Sequence, residues 1–506
     1  MNMKKTCATL IAASLLASVP AWAMAQSAVA ANDKPVSLQS DVNQMTQQAL
    51  NELSKLVPEL KDFPAISIST DENDGDEAVI FIHLHKNEQQ KYPYATIEVD
   101  RKYGDIVGFY IKRENESDNT FADKEKAVQS ATSFLEQLLK EEAKQYHVSD
   151  KSYGQNGAIF FERKINGVSL LGGGISVFLD EEANVTGFHK NIYGHYFKDL
   201  SLFPEPKDLI GEQAAIQVMG ESLRLVYMEG QEAQTGPILK YVPEMPGYVD
   251  AKTGKVIPGG VENKYSAPIK VTPGDRQLAA RTKEEAAAVL KSELAVDVAN
   301  AEYKEESKAG FRRFQWIHQD KTTMYVYADE WTGRVSQFGV HSVQGGEPRI
   351  TRDEAAQKAV SFLEQYLDKS ITEIHVSESD SAPGLSRLES FYIHKSHQGI
   401  PVEDHSYRVT VDMTNGNVTE VAGPFEREQV SLPDSSQAVP KAEAVKEFVN
   451  THSAKLYYYS FDENGGRADT PRIVYSIEAQ KPGYIDALTG ETVGEKEEAE
   501  KKSSSG

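Results

Sequence analysis

"PGYVDAKTG" (Pro246–Gly254) returns 236 residues later as "PGYIDALTG" (Pro482–Gly490). Each stretch centres on an aspartate followed by Thr-Gly. An aspartate in that setting is either a catalytic nucleophile or a turn residue that the fold needs twice, and the surrounding sequence decides between them. "ATSFLEQLL" (131–139) parallels "AVSFLEQYL" (359–367), and "INGVSL" (165–170) parallels "HQGIPV" (397–402). "EPK" ending at Lys207 parallels "VPK" ending at Lys441. The matches keep their order, so the chain is a tandem duplication, with copies at 39–257 and 282–493. Residues 258–281 are rich in Pro and Gly and read as a linker. Residues 494–506 are charged and low in complexity and read as a disordered tail.

A shorter period lies inside the long one. Six aspartates have Gly or Asn four positions on: Asp100/Gly104, Asp180/Asn184, Asp250/Gly254, Asp329/Gly333, Asp412/Gly416 and Asp486/Gly490. Each ends a run such as "ATIEVD", "MYVYAD" or "YRVTVD", whose alternation marks a half-buried strand. A four-residue hairpin loop built on a type I turn puts its last residue at positive φ, where Gly is free and Asn tolerated. The leading Asp accepts loop amides, as in an Asx turn. Helical spacing precedes these strands at Ala127, Ala131, Phe134, Leu135 and Leu138, and again at Ala355, Ala359, Phe362, Leu363 and Tyr366. Thr351 with Glu354, and Thr282 with Glu285, fit capping boxes; Pro206 and Pro440 fit first-turn positions. The expected fold is α+β: about six α-β-β-β modules, three per duplicated half, with helices packed on antiparallel sheets. A lone module of this size has a marginal core, so neighbours should pack together.

At "INGVSLLGGGISVFLDEEANVTGF" (165–188) and "HQGIPVEDHSYRVTVDMTNGNVTEVAG" (397–423) the chain resembles the propeptide sheet of thermolysin-type metallopeptidases, the FTP module. "YVDAKTGKV" and "YIDALTGET" resemble PepSY modules, a related helix-on-sheet domain. The whole array resembles the secreted YcdB/YcdC repeat family of Gram-positive bacteria. That resemblance implies an α+β fold and an extracellular role in peptidase inhibition, peptidase folding or cell-envelope binding. It brings no catalytic residues with it, and no peptidase domain follows the modules.

The 506 residues are 40% hydrophobic and 26% charged, enough to build packed cores. "MNMKK", the apolar "TCATLIAASLLASV" and the small-residue "AWAMA" read as a signal peptide over residues 1–25, so the expected location is extracellular. No later run is apolar and long enough for a membrane span. The single cysteine, Cys7, lies inside the signal, which leaves the mature chain without a disulfide or a thiolate site. The formal charge of −22 becomes −24 once Lys4 and Lys5 are removed. That charge disfavours a nucleic-acid partner, which needs a basic footprint.

Reaction chemistry finds little support. No HExxH run is present. His83–His85 ("HLH") and His189–His195 ("HKNIYGH") come without a third ligand. No G-x-S-x-G elbow appears, and "GGG" (172–174) reads as a strand kink or bulge. "DENDGDE" (71–77) fails the EF-hand register, because Gly75 is fifth and Ile82 twelfth; an acidic hairpin loop is the reading, with a weak irregular calcium site as the alternative. Aspartyl-phosphate enzymes place Lys directly after Asp, whereas Ala251 and Ala487 stand there. The expectation is therefore no catalytic, cofactor or metal residue, and a structural turn at each of the six aspartates. The function expected is a non-enzymatic binding protein for an extracellular protein or peptide, a metallopeptidase foremost and the cell wall next. An envelope-associated spacer is the alternative. An enzyme of unrecognised type, the third reading, would need a polar cluster unique to one copy.

Overall fold

The computed structural model describes residues 40–70, 79–86, 92–113, 123–149, 158–191, 198–230, 236–244, 247–258, 265–342, 346–377, 387–425, 430–461 and 467–494. Residues 1–25, read above as a signal peptide, the acidic "DENDGDE" run, His195 and the tail beyond Gly494 lie outside them. Helix α1 (Ser40–Leu56) leads into β1 (Ala65–Thr70), β2 (Val79–His85), β3 (Tyr94–Asp100) and β4 (Ile106–Lys112). Helix α2 (Lys124–Leu139) leads into β5 (Tyr146–Val148), β6 (Ala158–Ile165), β7 (Val168–Leu179) and β8 (Val185–Lys190). Helix α3 (Glu212–Glu221) precedes β9 (Leu223–Met228), β10 (Ile238–Pro243), β11 (Gly247–Asp250) and β12 (Val256–Pro258); a short β13 (Ile269–Lys270) follows.

The second half repeats the order. Helix α4 (Lys283–Leu294) precedes β14 (Glu302–Lys308), β15 (Phe311–Ile317), β16 (Thr323–Asp329) and β17 (Val335–His341). Helix α5 (Arg352–Glu364) precedes β18 (Glu373–Ser377), β19 (Leu388–His397), β20 (Ile400–Asp412) and β21 (Asn417–Ala422). Helix α6 (Lys441–Thr451) precedes β22 (His452–Phe461), β23 (Arg467–Ala479), β24 (Gly483–Asp486) and β25 (Thr492–Gly494). The fold is α+β with two antiparallel-rich sheets and two repeated halves. Four strands follow each helix rather than the three expected. The extra one is the strand that carries the weakest pattern: β5 has three residues, and β14 reads "EYKEESK", charged and mostly exposed.

By contacts the chain divides into two compact units. Unit 1 comprises residues 1–143, 151–159 and 176–193; unit 2 comprises 144–150, 160–175 and 194–506. In unit 1, β1, β2, β3, β4 and β8 pair in that order, all antiparallel. Ala127, Ala131, Phe134 and Leu135 of α2 are buried there, and the Phe134 ring meets Phe109 and Phe188 at 5.7 and 5.9 Å. Leu138 stays half-buried. In unit 2, β14-β15-β16-β17-β21-β20-β9-β10-β24-β25 form a continuous order, and β18 and β19 extend it from β20. The capping box of α5 is complete. That of α4 is half-made: Thr282 accepts from the Glu285 amide, but the Glu285 carboxylate takes the Arg281 amide instead. Pro440 is the N-cap of α6, whereas α3 begins six residues after Pro206, at Glu212. The segment expected as a free linker is pinned to the second half: β13 pairs with β18, and Tyr265 bridges to Ser377.

The two stretches that define the duplication exchange partners inside unit 2. Hairpin β11–β12, which carries "GYVD", joins β23 of the second copy, with Val249 opposite Tyr475. Hairpin β24–β25, which carries "GYID", joins β10 of the first copy, with Ile485 opposite Tyr241. Ala251 N donates to Ile473 O at 2.9 Å and Ala487 N to Leu239 O at 2.8 Å, so each turn is tied to the other copy's strand. Both alanines are fully buried, at 0% exposure. The first strands are exchanged as well: β9 runs parallel to β20 through Tyr227–Val402, and β22 runs parallel to β7 through Tyr457–Ser169. Helices α3 and α6 meet at Gly220, where an added Cβ would stand 3.3 Å from Phe448 and Val445. Tyr227 OH donates to Pro433 O and Tyr458 OH to Pro204 O, the same bond made once by each copy.

Candidate functional site

The six aspartates sit at strand ends. Oδ1 of Asp100, Asp250, Asp329 and Asp486 accepts the amides two and three residues on, at 2.7–3.0 Å. Asp412 Oδ1 accepts the Thr414 amide and hydroxyl, while its Oδ2 holds Arg387 at 2.7 Å. Gly104, Gly254, Gly333, Gly416 and Gly490 all lie at φ between +72° and +76°. The Asp180 turn differs. It is one residue tighter, Ala183 takes the positive φ of 66°, and Asn184 donates its amide to Asp180 Oδ1 instead of occupying the left-handed position. An aspartate whose Oδ1 is taken by two amides of its own loop is a cap. Gly254→Val should cost about 1–3 kcal/mol through left-handed strain. Asp250→Asn should cost less, since the amide oxygen accepts the same two bonds. Urea denaturation of the two variants measures the difference, and equal midpoints would remove the turn role.

The described histidines that the sequence singled out, His83, His85 and His189, each have neighbours within the protein. His83 lies in a cross-strand row, with Nε2 at 3.0 Å from Ser69 Oγ and Nδ1 at 3.3 Å from Thr96 Oγ1. His85 stands beside the Tyr94 ring. His189 Nδ1 is 3.9 Å from Glu98, and burial pushes the carboxyl up and the imidazole down. Among the described residues no group of three His, Cys, Asp or Glu could hold a metal ion. In the glycine triplet, Gly172 has φ +70°, and a Cβ on Gly174 would lie 2.7 Å from Phe161 O.

A polar cluster unique to one copy does exist, at the parallel β9–β20 joint. Lys395 Nζ donates to Glu229 Oε1 at 2.6 Å, and His405 Nδ1 donates to Glu229 Oε2 at 2.9 Å. His405 Nε2 stands 3.1 Å from the Tyr407 hydroxyl. The Asp404 carboxylate accepts the Glu229 and Gly230 amides at 2.8 and 3.0 Å. Glu229 and His405 are 4% and 5% exposed. Burial pushes the Glu229 carboxyl up, but hydrogen bonds from His405 and Lys395, and their charge, outweigh it and hold the pKa at about 2. By the "INGVSL"/"HQGIPV" alignment, Arg163, Gly172, Gly173 and Ile175 replace Lys395, Asp404, His405 and Tyr407 in the first copy. The paired tyrosines Tyr227 and Tyr458 place Ser460 opposite Glu229. The sequence carried this signal as "GGG" against "DHS", but Glu229 itself lies 176 residues before His405. Every named polar atom of the cluster is engaged inside the protein, so the cluster fastens the joint.

The outer strands of the sheets differ in how they end. β14 is charged, β12 and β25 are three residues long, and β12 ends in Pro258. These are the usual guards of an open edge. β1, "AISIST", has six residues, no charge and no proline. Ile66 lies opposite the buried Leu84, on the core side of the sheet, yet it is 52% exposed. Among the described residues no strand pairs with the outer side of β1.

Fold and site together define a tandem-repeat α+β protein whose copies exchange their last hairpins. The chain belongs to the YcdB/YcdC repeated-domain family, whose model matches residues 38–191 and 291–424. Both matches stop before the exchanged helices α3 and α6. Among solved structures, the C-terminal domain of Bacillus megaterium YpeB is similar at 15% identity, covering 61% of this chain and 99% of that one, with a TM-score of 0.26. An uncharacterized protein from Eubacterium rectale is similar at 10% identity, covering 55% of this chain and 97% of that one, with a TM-score of 0.24. No curated protein matches. No helix among the described residues is long and apolar enough to cross a membrane.

Proposed function

We propose that the chain is a secreted, non-catalytic binding protein built from six PepSY-like modules, and that it takes an extended polypeptide onto the free edge of β1. The observation that carries this reading is the unguarded edge: Ile66 belongs to the core face but lacks cover. A strand added there would pair with the open backbone groups and lay an apolar side chain over Ile66 and Ile68. Secreted metallopeptidases are the favoured source of the partner strand, because FTP-type propeptides press a sheet against their peptidase.

The test uses the mature protein as bait for secreted metallopeptidases of the same organism. Retention should fall at least about tenfold in one of the two variants Ile66→Pro and Ser67→Pro. Neighbouring residues on an edge strand turn their N–H groups to opposite sides, and only one of these donors faces outward. Retention unchanged in both variants would remove β1 as the docking edge. No retained peptidase and no change in any peptidase activity would remove the peptidase as partner.

A further inference from the structure

Unit 1 holds a cavity of about 480 Å³ that the turns and edges leave unexplained. Volumes of about 300–1,000 Å³ are usual for small-molecule sites. One wall is α1, with Met45, Gln44, Gln48 and Glu52; another is the β3–β4 turn, with Tyr103, Gly104 and Asp105. The end of α2 supplies Leu138, Leu139 and Lys140, and Glu142 and Lys190 close the site. The half-buried Leu138 is the one helix-face residue of α2 that the core does not cover. Lys190 is 7% exposed and donates to Glu142 Oε1 at 2.6 Å, which fixes a charged pair in the wall. Lys140 and Glu52 stand 3.7 Å apart, with side chains 72% and 39% exposed, a loose pair at the mouth. Gln44 and Gln48 lie one turn apart on α1, and their side chains make no hydrogen bond among the described residues.

The charge pattern selects the ligand. Glu52, Asp105 and Glu142 oppose Lys140 and Lys190, so an anion such as phosphate meets three carboxylates and a cation meets two ammonium groups. An apolar molecule would strip water from these five charged side chains without replacing it. A molecule with both charges and a small apolar part fits: its carboxylate to Lys140, its ammonium to Glu52, its amide to Gln44 and Gln48, its side chain on Leu138, Leu139 and Met45. We infer that this cavity binds the zwitterionic form of a short peptide. The site is separate from the β1 edge and stands without it.

Isothermal titration of the mature protein with the dipeptide Leu-Ala tests the assignment. Binding is expected with a Kd of about 1 mM or tighter. The same dipeptide acetylated at its N-terminus, or amidated at its C-terminus, should bind at least about tenfold more weakly. Lys140→Met and Gln48→Leu should each weaken binding by about tenfold and leave the urea midpoint unchanged, since both side chains are exposed. No heat up to about 10 mM dipeptide, or equal binding of the capped peptides, overturns the proposal, as does binding of the disaccharide chitobiose in place of Leu-Ala. Peptidase retention at β1 is scored in a different assay with different variants, so either reading can fail alone.

Discussion

Glu229→Ala should destabilise unit 2 by about 3–5 kcal/mol, the cost of leaving buried charge without its partner. Lys395 and His405 both depend on this carboxylate, at 2.6 and 2.9 Å. Glu229→Gln keeps a hydrogen-bond acceptor and loses the charge, and should fall between the variant and the parent. The equivalent position of the other joint is the control. Among the described residues Ser460 Oγ is buried without a partner, so Ser460→Ala should be neutral or stabilising by about 1 kcal/mol. In a protein produced without residues 1–25 the tryptophans are Trp316 and Trp331, both in unit 2, so tryptophan fluorescence in urea reads this unit directly. The pH dependence has a fixed sign. The folded-state pKa of Glu229 lies near 2, below its ordinary 4.5. Its contribution is therefore complete above about pH 4.5 and is lost as the pH falls toward 2. A melting curve that loses the Glu229 contribution near neutral pH would contradict the ion-paired geometry.

Cutting the chain between the copies should not separate them. A protease site placed within Gly259–Lys264 severs the covalent link while β11–β12 remains on β23 and β24–β25 on β10. The core around the joint is mixed in the same way: Ile257 and Tyr248 of the first copy pack with Tyr457, Tyr459 and Val474 of the second. The cut protein should elute in gel filtration as one species of unchanged size, with the halves parting only as urea unfolds them. An interlocked pair of this kind is expected to hold at a Kd below about 1 nM. Two half-size species at micromolar protein would show that the exchanged hairpins are not the contacts described above.

Both results depend on features of unequal visibility in the sequence. Five of the six turns were legible because each is closed by atoms within five residues: an Asp Oδ1 that accepts donors of its own loop, and a Gly that accepts positive φ. The Asp180 turn went astray for the same local reason, since one missing residue moves the left-handed position from Asn184 to Ala183. Helices α2 and α5 were legible from their apolar spacing. The fourth strand of each set was not, because β14 is charged and β5 is three residues long. The open edge of β1 was not legible either. Ile66 looks like any core residue in "AISIST", and its exposure follows from which strands surround it.

The sequence by itself determined the duplication, the α+β class, the aspartate turns and the absence of familiar reaction motifs. Each of these is a matter of periodicity or of bonds between near neighbours. Only the tertiary structure decided which copy each "GYVD" or "GYID" hairpin completes, and that Glu229 meets His405. "PGYVDAKTG" and "PGYIDALTG" are so alike that either can pair with β10 or β23 through the same backbone bonds. Local energies are then nearly equal for both pairings. The choice falls to long-range packing: the buried Ala251 and Ala487, the α3–α6 contact at Gly220, and the Glu229–Lys395–His405 cluster at the β9–β20 joint.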